Sequence, residues 1–292
     1  MTDTPSHDFM GTPTPGRHDG RVAIITGASR GIGRAVARRL AAEGAAVVVA
    51  AKSREPHATL PGTIVDCVEA IRADGGTASW FEVDVRDADR VEAMVQHAID
   101  EYGKVDYLFN NAGAIFLAPV AAVPPKRFDL MYQVNVRAAQ ATAFYALPHM
   151  VDKQFGHVLN FSPPLQLDPS PGMAPYMVTK YGMTRIAMAI AEEHRSDNIA
   201  ANTIWPVTMI DTAAVRVNAM GDESQYRTPE IICDAVSELF SRPPAECTGN
   251  QFTDEQILRD AGWSDEDLDR YWVTGHAPEH LVTIAGENSI MR

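Results

Sequence analysis

The feature that most constrains the fold of this chain is an alternation of short apolar runs with helical segments. Between Arg21 and Pro206, apolar runs alternate with segments whose apolar residues recur at helical spacing. The runs, such as "AAVVVAA", are continuously apolar, which is typical of parallel strands that helices cover on both faces. The sequence therefore predicts an α/β fold built on a doubly wound parallel sheet with right-handed crossovers.

Composition and pattern divide the 292 residues into three parts. Residues 1–19 are rich in Pro, Thr, Asp and Gly and lack the basic and apolar regions of a signal peptide, which predicts a disordered lead-in. Residues 20–258 are predicted to form one Rossmann-type domain, with a last short strand in "GNQFTDEQIL". Residues 259–292 are predicted to be an acidic C-terminal extension, in which Ser264 and Asp267 have capping-box spacing.

Bulk composition excludes several classes of function. The net charge is −13 and no cluster of Lys and Arg is present, so nucleic acid and anionic membrane surfaces are not expected as partners. Cys67, Cys233 and Cys247 have no metal-site or disulfide spacing, which predicts a cytoplasmic protein without a metal. No apolar run has the length of a membrane span.

A glycine-rich turn follows the first predicted strand and opens the first predicted helix. In "TGASRGIG", Gly27, Gly31 and Gly33 allow a tight turn and a close approach of pyrophosphate to the helix N-terminus. The alternative is a plain strand–helix turn. The strand before the motif and the helix after it are the context that a dinucleotide-binding fingerprint requires, so the turn is predicted to bind a dinucleotide.

The end of the second strand indicates which dinucleotide is bound. A carboxylate at this tip would bind the adenosine ribose hydroxyls of NAD, but the sequence there is "VVVAAKSR". Lys52, with Arg54 and Arg30 nearby, can pair with a 2′-phosphate instead. The prediction is NADP(H), with NAD possible, and the alternative is that these cations are solvated loop charges.

Two further strand tips carry residues suited to a nucleotide. Asp84 and Val85 end the third strand, where the carboxylate can accept from the exocyclic amine of adenine and the valine can flank its ring. The segment "NNAG" (residues 110–113) ends the fourth strand at the expected mouth of the crevice. The alternative for that segment is an ordinary turn rich in Asn and Gly.

Tyr176 and Lys180 are candidates for acid–base chemistry. Their i, i+4 spacing places both side chains on one face of a helix. A free tyrosine has a pKa near 10, and a neighbouring ammonium lowers that pKa. Such a pair can move the proton of an alcohol while hydride is transferred at the carbon. By itself the spacing is common and usually marks only a helix face.

Taken together, these motifs resemble the short-chain dehydrogenase/reductase family over the stretch from Gly20 to Leu258. The resemblance implies an oxidoreductase in which Tyr176 is the acid–base. It also implies that Lys180 lowers the tyrosine pKa and binds the nicotinamide ribose, and that Asn135 holds a water-linked proton relay. The cofactor-binding residues that follow from the motifs and the resemblance are Gly27, Ser29, Arg30, Gly31, Ile32, Gly33, Lys52, Asp84, Val85, Asn111, Ala112, Gly113, Tyr176, Lys180 and Thr208.

Other segments resemble the second type of the hydroxysteroid-dehydrogenase-like subgroup of that family. These are "AAKSREPHATLPGTI", "NFSPPLQL", "WPVTMIDTAA" and "CTGNQF". The resemblance implies a lipophilic alcohol or carbonyl substrate. Animal members carry a sterol-carrier domain after the reductase, which the length of this sequence predicts to be absent. Because long helices commonly pack subunits together in the family, a homo-oligomer, either dimer or tetramer, is also expected.

The sequence departs from the family pattern at the serine. The catalytic serine usually stands second in a serine pair, thirteen residues before the tyrosine, and that position is Pro163 here. One interpretation is that the prolines reshape the loop so that Ser162, one residue earlier, reaches the substrate oxygen. The other is that Ser162 is structural and that Tyr176 and water polarise the substrate.

The sequence thus predicts an NADP(H)-dependent alcohol dehydrogenase or carbonyl reductase. Its predicted catalytic residues are Asn135, Ser162, Tyr176 and Lys180. One alternative is a non-catalytic NAD(P)-binding sensor or scaffold, which the proline at the serine position keeps open. Another is a reductase of acyl thioesters, which would need a basic rim near residues 207–227, where only Arg216 and Arg227 occur.

Overall fold

A parallel sheet forms the centre of the computed structural model, which describes residues 12–56, 60–217 and 221–284. The strands are β1 (Val22–Thr26), β2 (Ala46–Ala51), β3 (Thr77–Glu82), β4 (Tyr107–Asn110), β5 (Gly156–Phe161), β6 (Ile199–Trp205), β7 (Met209–Ile210), β8 (Tyr226–Arg227) and β9 (Gln251–Thr253). Seven of them form one sheet in the order β3–β2–β1–β4–β5–β6–β9, and β7 pairs separately with β8. Every strand pair is parallel, and β9 is the short last strand that the sequence predicted.

Helices follow most of the strands. The α-helices are α1 (Gly31–Ala42), α2 (Ile64–Ala73), α3 (Ala88–Tyr102), α4 (Pro125–Tyr132), α5 (Ala138–Lys153), α6 (Ala174–Glu193), α7 (Ala213–Val217), α8 (Glu230–Ser241), α9 (Asp254–Asp260) and α10 (Asp265–Asp269). A π-helical turn, Gln133–Arg137, joins α4 to α5. Short 3₁₀ turns lie at Val120–Ala122, Arg195–Asp197 and Glu223–Gln225.

The sheet is covered on both faces, which explains its continuously apolar strands. Apolar side chains of α1, α2 and α8 form one buried cluster with the sheet, to which Leu40, Ile71 and Phe240 belong. Those of α3, α5 and α6 form a second cluster on the other face, with Met94 and Met150. The predicted doubly wound α/β fold is confirmed, and the exposed carboxyl edge of the sheet is left for a ligand.

Local capping signals fix where several helices begin and end. The Asp87 carboxylate accepts hydrogen bonds from the backbone N–H groups of Asp89 and Arg90 at the start of α3. Gly103 ends that helix at φ 83°, in the left-handed region that glycine enters without a steric penalty. Ser264 and Asp267 form the predicted capping box at the start of α10. These short-range contacts explain where α3 begins and ends and where α10 begins.

The segment before β1 is packed, contrary to the prediction of disorder for residues 1–19. His18 is buried, and its ring nitrogens lie 3.2 Å from Tyr107 Oη and 3.2 Å from Ser237 Oγ. Thr14 N donates to a carboxylate oxygen of Glu43. Residues 12–19 are therefore ordered by a buried polar network that composition alone does not reveal. Residues 1–11 lie outside the described part of the chain.

The chain beyond residue 258 packs on the same core. Tyr271 and Trp272 are buried, and the Arg227 guanidinium lies 4.2 Å from the centre of the Trp272 ring. The predicted boundary at residue 258 is therefore not a boundary in packing. The part of the predicted extension at residues 285–292 lies outside the described residues. No described helix combines the length and the apolar composition needed to cross a membrane.

Candidate active site

A cleft of about 1100 Å³ opens at the carboxyl edge of the sheet. It lies where the strand order reverses between β1 and β4, the position at which doubly wound sheets bind ligands. The turn at Gly27 lines one part of the cleft, and Tyr176 and Lys180 line another. One continuous cavity therefore joins the predicted dinucleotide-binding turn to the predicted acid–base pair.

Backbone geometry explains the glycines of the turn. Gly27 has φ 69° and Gly31 has φ 55°, and both glycines line the cleft. Gly33 does not line the cleft. A Cβ atom on Gly33 would lie 2.4 Å from Asn111 Nδ2, so this glycine permits close packing of α1 against the end of β4. The three glycines thus divide into two that shape the cleft and one that serves packing.

The cleft brings together most of the predicted cofactor-binding residues. Those that line it are Gly27, Ser29, Arg30, Gly31, Ile32, Lys52, Asp84, Val85, Asn111, Ala112, Gly113, Tyr176 and Lys180. Gly33 and Thr208 are not in its wall. Thr208 is buried, while Thr212 lines the cleft, and its Cγ2 would lie 3.4 Å from a Cβ on Gly31. Thr208 after the sixth strand was predicted from the sequence, and Thr212, which lies four residues later and lines the cleft, was missed.

Cations surround the end of the cleft near β2. Lys52 is exposed on the cleft wall and forms no ion pair within the described residues. Arg30 donates from Nε and Nη2 to the carbonyl oxygens of Pro61 and Gly62, which orients its guanidinium on the wall. Arg54 lies elsewhere, over the Trp80 ring and 4.0 Å from Glu82. Lys52 and Arg30, but not Arg54, are therefore placed to contact an anion.

Asp84 has a neighbour that the sequence analysis did not consider. Arg86 Nε donates to both carboxylate oxygens of Asp84, at 2.9 and 3.0 Å. The hydrogen bonds from Arg86 hold the pKa of the Asp84 carboxyl below its usual range. The carboxylate is thus ionised and oriented on the cleft wall, and it retains lone pairs that can accept from a ligand.

Tyr176 and Lys180 lie together on the buried face of α6. Lys180 Nζ donates to the Phe161 carbonyl oxygen at 2.7 Å and lies 6.0 Å from the centre of the Tyr176 ring. The rings of Phe161 and Trp205 also face the ammonium, at 5.6 and 5.5 Å from their centres. The Lys180 ammonium is therefore surrounded by one carbonyl oxygen and three aromatic rings, which attract positive charge.

Burial determines the titration of this pair. It raises the pKa of the Tyr176 phenol and lowers the pKa of Lys180 to about 7. Both shifts favour the uncharged forms, because a charged group loses solvation when it is buried. The sequence predicted that Lys180 lowers the tyrosine pKa; the burial of the two side chains acts in the opposite direction.

Asn135 lies behind the cleft wall, in the π-helical turn. Its Oδ1 accepts from Ala114 N at 2.8 Å, and its Nδ2 donates to Ala114 O at 3.0 Å and to Thr179 Oγ1 at 2.8 Å. The side chain is fully buried. Asn135 therefore ties the backbone after the "NNAG" segment to the helix of Tyr176 and Lys180. π-Helical turns often occur at functional sites, where the extra residue redirects a side chain.

Ser162 is not brought to the cleft. Phe161 lines the cleft at the end of β5, while the next side chain, Ser162, is fully buried. Its Oγ lies 3.0 Å from Thr184 Oγ1, and that threonine hydroxyl donates to the Pro163 carbonyl oxygen at 2.8 Å. Ser162 follows β5, and its backbone N–H donates to the carbonyl oxygens of Asn160 at 2.9 Å and Ile204 at 3.1 Å, which fixes the backbone at this point. This arrangement favours the second interpretation, in which Ser162 is structural.

Beyond Tyr176 the cleft is apolar and open to solvent. Leu117, Met173 and Val217 line it and are exposed at its rim. The predicted C-terminal extension also contributes to this wall, through Val282 and Ile284. Gln166, Ser170 and Thr283 are polar residues of the same region. The contribution of the extension was not predicted, because no local pattern reports such a long-range contact.

The residues of the cleft suit a nicotinamide dinucleotide. A Cβ atom on Gly113 would lie 3.6 Å from Lys180 Nζ and 3.6 Å from Asn135 Oδ1. Glycine therefore keeps the space in front of the lysine clear of any side chain. The glycine turn and the nearby cations lie at one end of the cleft and can bind the phosphates of a dinucleotide. At the other end, the space beside Gly113 and Tyr176 can hold the nicotinamide.

Comparisons with known proteins agree with this geometry. The profile of a family described as short chain dehydrogenase matches residues 21–221. The chain is 42% identical over 268 residues to "Hydroxysteroid dehydrogenase-like protein 2" of Xenopus tropicalis, an alignment that covers 90% of this chain and 63% of the relative. The proteins of the same name from Mus musculus, Rattus norvegicus and Bos taurus are covered over 52%, 50% and 63% of their length, so the chain spans about half to two thirds of these relatives.

Solved structures of similar fold are also short-chain dehydrogenases or oxidoreductases. A short chain dehydrogenase from Mycobacterium thermoresistibile is 40% identical, with a TM-score of 0.83 over 94% of this chain and 99% of that one. A metagenomic short-chain oxidoreductase, crystallised in complex with NADP, is 26% identical, with a TM-score of 0.69 over 81% of this chain and 98% of that one. The sheet and cleft described above are therefore those of a group of structurally related enzymes.

Proposed function

Because the chain belongs to the short-chain dehydrogenase/reductase family of oxidoreductases, we propose that it transfers hydride between NADP(H) and the alcohol or carbonyl carbon of a lipophilic substrate. The observation that carries the proposal is the position of Tyr176 and Lys180 in the same cleft as the glycine turn. A nicotinamide cofactor supplies or accepts the hydride when bound. The residues of the chain bind, orient and move the proton.

Tyr176 is the proposed acid–base. In reduction its phenol O–H donates a proton to the substrate oxygen, and in oxidation the phenolate accepts the proton of the alcohol. Lys180 lies within 6.0 Å of the ring and is held by the Phe161 carbonyl oxygen. In its charged form it stabilises the phenolate, since an opposite charge nearby favours ionisation. Burial raises the pKa of the phenol, which keeps it protonated but weakens it as an acid, so this proposal needs a charged Lys180 to offset the effect of burial.

Asn135 and Ser162 are proposed to position the site rather than to contact the substrate. Asn135 uses its amide to join Ala114 to Thr179, one residue before Lys180. Ser162 is buried beside Thr184 and lies outside the cleft wall. In this proposal the carbonyl is polarised by Tyr176, and Gln166, Ser170 and Thr283 are further polar residues of the cleft wall.

The cofactor preference is proposed to be NADP(H) rather than NAD(H). Lys52 stands at the end of β2, where a carboxylate would bind the ribose hydroxyls of NAD. It forms no salt bridge within 4.0 Å among the described side chains, although the charge of Asp84 is close enough to interact with it, and Arg30 lies on the same wall. A structurally similar oxidoreductase was crystallised with NADP. A 2′-phosphate would pair with these cations through charge-assisted hydrogen bonds.

The proposal of a lipophilic substrate rests on the rim of the cleft. Leu117, Met173 and Val217 leave apolar surface exposed there, which is unusual unless an apolar ligand covers it. Arg216 is paired with Asp211 and Glu223, and the buried Arg227 is paired with Glu255. The two cations that an acyl-thioester reductase would use are thus neutralised by carboxylates, which disfavours that alternative.

Assembly and location are part of the same proposal. The exposed side chains of Phe144 on α5 and Val178 on α6 support a homo-oligomer that packs through these helices. Three buried, unpaired cysteines, Cys67, Cys233 and Cys247, support a reducing, cytoplasmic environment.

The test is an activity screen with NADPH and NADP⁺ over alcohols, aldehydes, ketones and steroids of increasing length. Tyr176→Phe is expected to lower turnover by about 10²–10⁴ while NADPH binding, followed by fluorescence, is retained. Tyr181→Phe is the matched control, because Tyr181 lies on the same helix but outside the cleft wall. Full turnover by Tyr176→Phe rejects the acid–base role. If the wild-type protein binds NADPH but turns over none of the substrates, the non-catalytic alternative is favoured.

A further inference from the structure

A short stretch of the C-terminal extension crosses the active site. Residues 280–284, here called the C-terminal strap, are held at two points. Gln225 Oε1 accepts from Val282 N at 2.9 Å, and Gln225 Nε2 donates to His280 O at 3.0 Å. At the other end, Ile284 N donates to the Val207 carbonyl oxygen at 2.8 Å. The strap is therefore attached to the segment that follows β6, and not to its own neighbours in sequence.

The strap reaches the surroundings of Tyr176. Ile284 packs against the small apolar cluster that contains Tyr176, Met177 and Trp205. Its carbonyl oxygen also lies 3.4 Å from Trp205 Nε1, which donates to it. Val282, Thr283 and Ile284 all line the cleft. The last part of the strap thus forms a wall of the cavity beside the acid–base residue and away from the glycine turn.

The chemistry of this wall is apolar. Residues 281–284 carry no charge, and Val282 and Ile284 face a cleft whose other walls include Leu117 and Met173. The hydrogen-bonding groups of the strap backbone described above are already used by Gln225, Val207 and Trp205. A ligand beside the strap therefore meets mainly methyl and methylene groups, which favour a hydrocarbon chain over a polar or charged one.

We propose that the C-terminal strap determines substrate specificity, and that Ile284 and Val282 form the wall against which the hydrocarbon chain of the substrate lies. The proposal rests on the proposed hydride transfer, since it assigns the substrate end of the same cleft. It predicts a preference for substrates with medium or long alkyl chains. Because Val282 and Ile284 are apolar and form no hydrogen bond to Tyr176 or Lys180 within the described residues, changes in their side chains are expected to act on the bound substrate chain rather than on the proton transfer.

The test compares Ile284→Ala with Leu281→Ala. Leu281 belongs to the same strap and is also apolar, but it does not line the cleft, so its variant is the matched control. Binding of decanamide, an unreactive probe with a long alkyl chain, is measured by calorimetry on the protein saturated with NADPH. Ile284→Ala is expected to weaken decanamide binding at least about fivefold, since it removes three carbons from a partly buried side chain. Leu281→Ala is expected to change it by less than about twofold.

Turnover gives a second measurement. Ile284→Ala is expected to raise KM for decanal several times more than KM for propanal, because only the longer chain reaches residue 284, and Ile284→Leu is expected to restore KM for decanal. Decanamide binding that is absent, or equal in both alanine variants, overturns the role of the strap even when alcohols are oxidised. Conversely, weakened decanamide binding in Ile284→Ala without turnover of any substrate upholds the strap and rejects hydride transfer.

Discussion

The hydroxyl oxygens of Ser162 and Thr184 lie 3.0 Å apart in the protein interior, directly after the end of β5. The same threonine donates to the Pro163 carbonyl oxygen, so the pair fixes the backbone where the strand ends. This link joins β5 to the helix of Tyr176 and Lys180. The hydrogen bond therefore assigns Ser162 a structural role, whereas the other interpretation was that its hydroxyl binds the substrate.

Replacing Ser162 by alanine is expected to affect stability more than turnover. Loss of one buried hydrogen bond costs about 1 kcal/mol of the free energy of unfolding, whereas kcat is expected to stay within about threefold of the wild type, since the hydroxyl touches no reacting atom. Denaturant unfolding and steady-state kinetics measure both quantities. Thr184→Val removes the partner and is expected to act similarly. A fall of about 10²–10³ in kcat for Ser162→Ala alone would instead identify the serine as a donor to the substrate oxygen.

Lys52 is expected to control the choice of cofactor. Lys52→Ala removes a cation that can pair with the 2′-phosphate, a charge-assisted contact of about 1.5–3 kcal/mol. The Kd for NADPH is therefore expected to rise at least about tenfold, while the Kd for NADH is unchanged. Fluorescence titration of both cofactors measures this difference.

Arg54→Ala is the control for Lys52→Ala, because Arg54 is an exposed cation two residues away that packs on Trp80 and does not line the cleft. Its substitution is expected to leave both dissociation constants near those of the wild type. Equal losses of NADPH affinity in the two variants would mean that general surface charge, not a phosphate contact, attracts the cofactor.

The burial of Lys180 makes stability depend on pH. Its pKa in the folded protein is about 7, below the value near 10.5 of a solvated lysine. Between these values the unfolded chain binds a proton that the folded protein does not, so this contribution makes the folded state more stable as the pH rises. The Lys180→Met variant lacks this contribution to the pH dependence of the free energy of unfolding. Measured from pH 7 to pH 9, the free energy of unfolding of the wild type is expected to rise relative to that of the variant by about 1 kcal/mol per pH unit.

His157 is expected to give a pH dependence at the acidic end. It is fully buried among Tyr107, Phe155 and Phe240, and burial lowers its pKa to about 3. Between pH 6.5 and pH 3 the unfolded chain is protonated at this residue while the folded protein is not, so stability falls as the pH falls. His157→Phe removes this contribution and is expected to unfold at lower pH than the wild type. Identical acid unfolding curves for both proteins would contradict the lowered pKa.

Several elements of the fold follow directly from local sequence. The strands are continuously apolar because both sheet faces are covered, and Asp87 and Gly103 bound α3 because their contacts lie within the same turn of chain. The glycine turn, Lys52 and the Tyr176–Lys180 pair were placed in one cleft by the same reasoning, since carboxyl ends of parallel strands meet at one edge.

Other features depend on contacts between distant residues and have no local signal. The orientation of Ser162 is decided by Thr184 across a helix, and the packing of His18 by Ser237 on α8. Thr208 and Thr212 are close in sequence, but only the turn before α7 decides which one faces the cleft. The C-terminal strap shows this most clearly. The boundary predicted at residue 258 from composition separates the strap from the domain, yet the strap lines the cavity of that domain and contacts Trp205.

The π-helical turn at Gln133–Arg137 has a consequence for how this enzyme can change. An α-helix advances about 100° per residue, so one inserted residue rotates everything before it relative to everything after it. Leu130 and Val134 therefore face the cavity, while Thr142 and Met150 keep their places against the sheet. The helix before the turn and the helix after it therefore present different faces to the rest of the molecule. A substitution before the turn, such as at Leu130, is expected to change the cavity wall while the packing of α5 against the sheet stays the same.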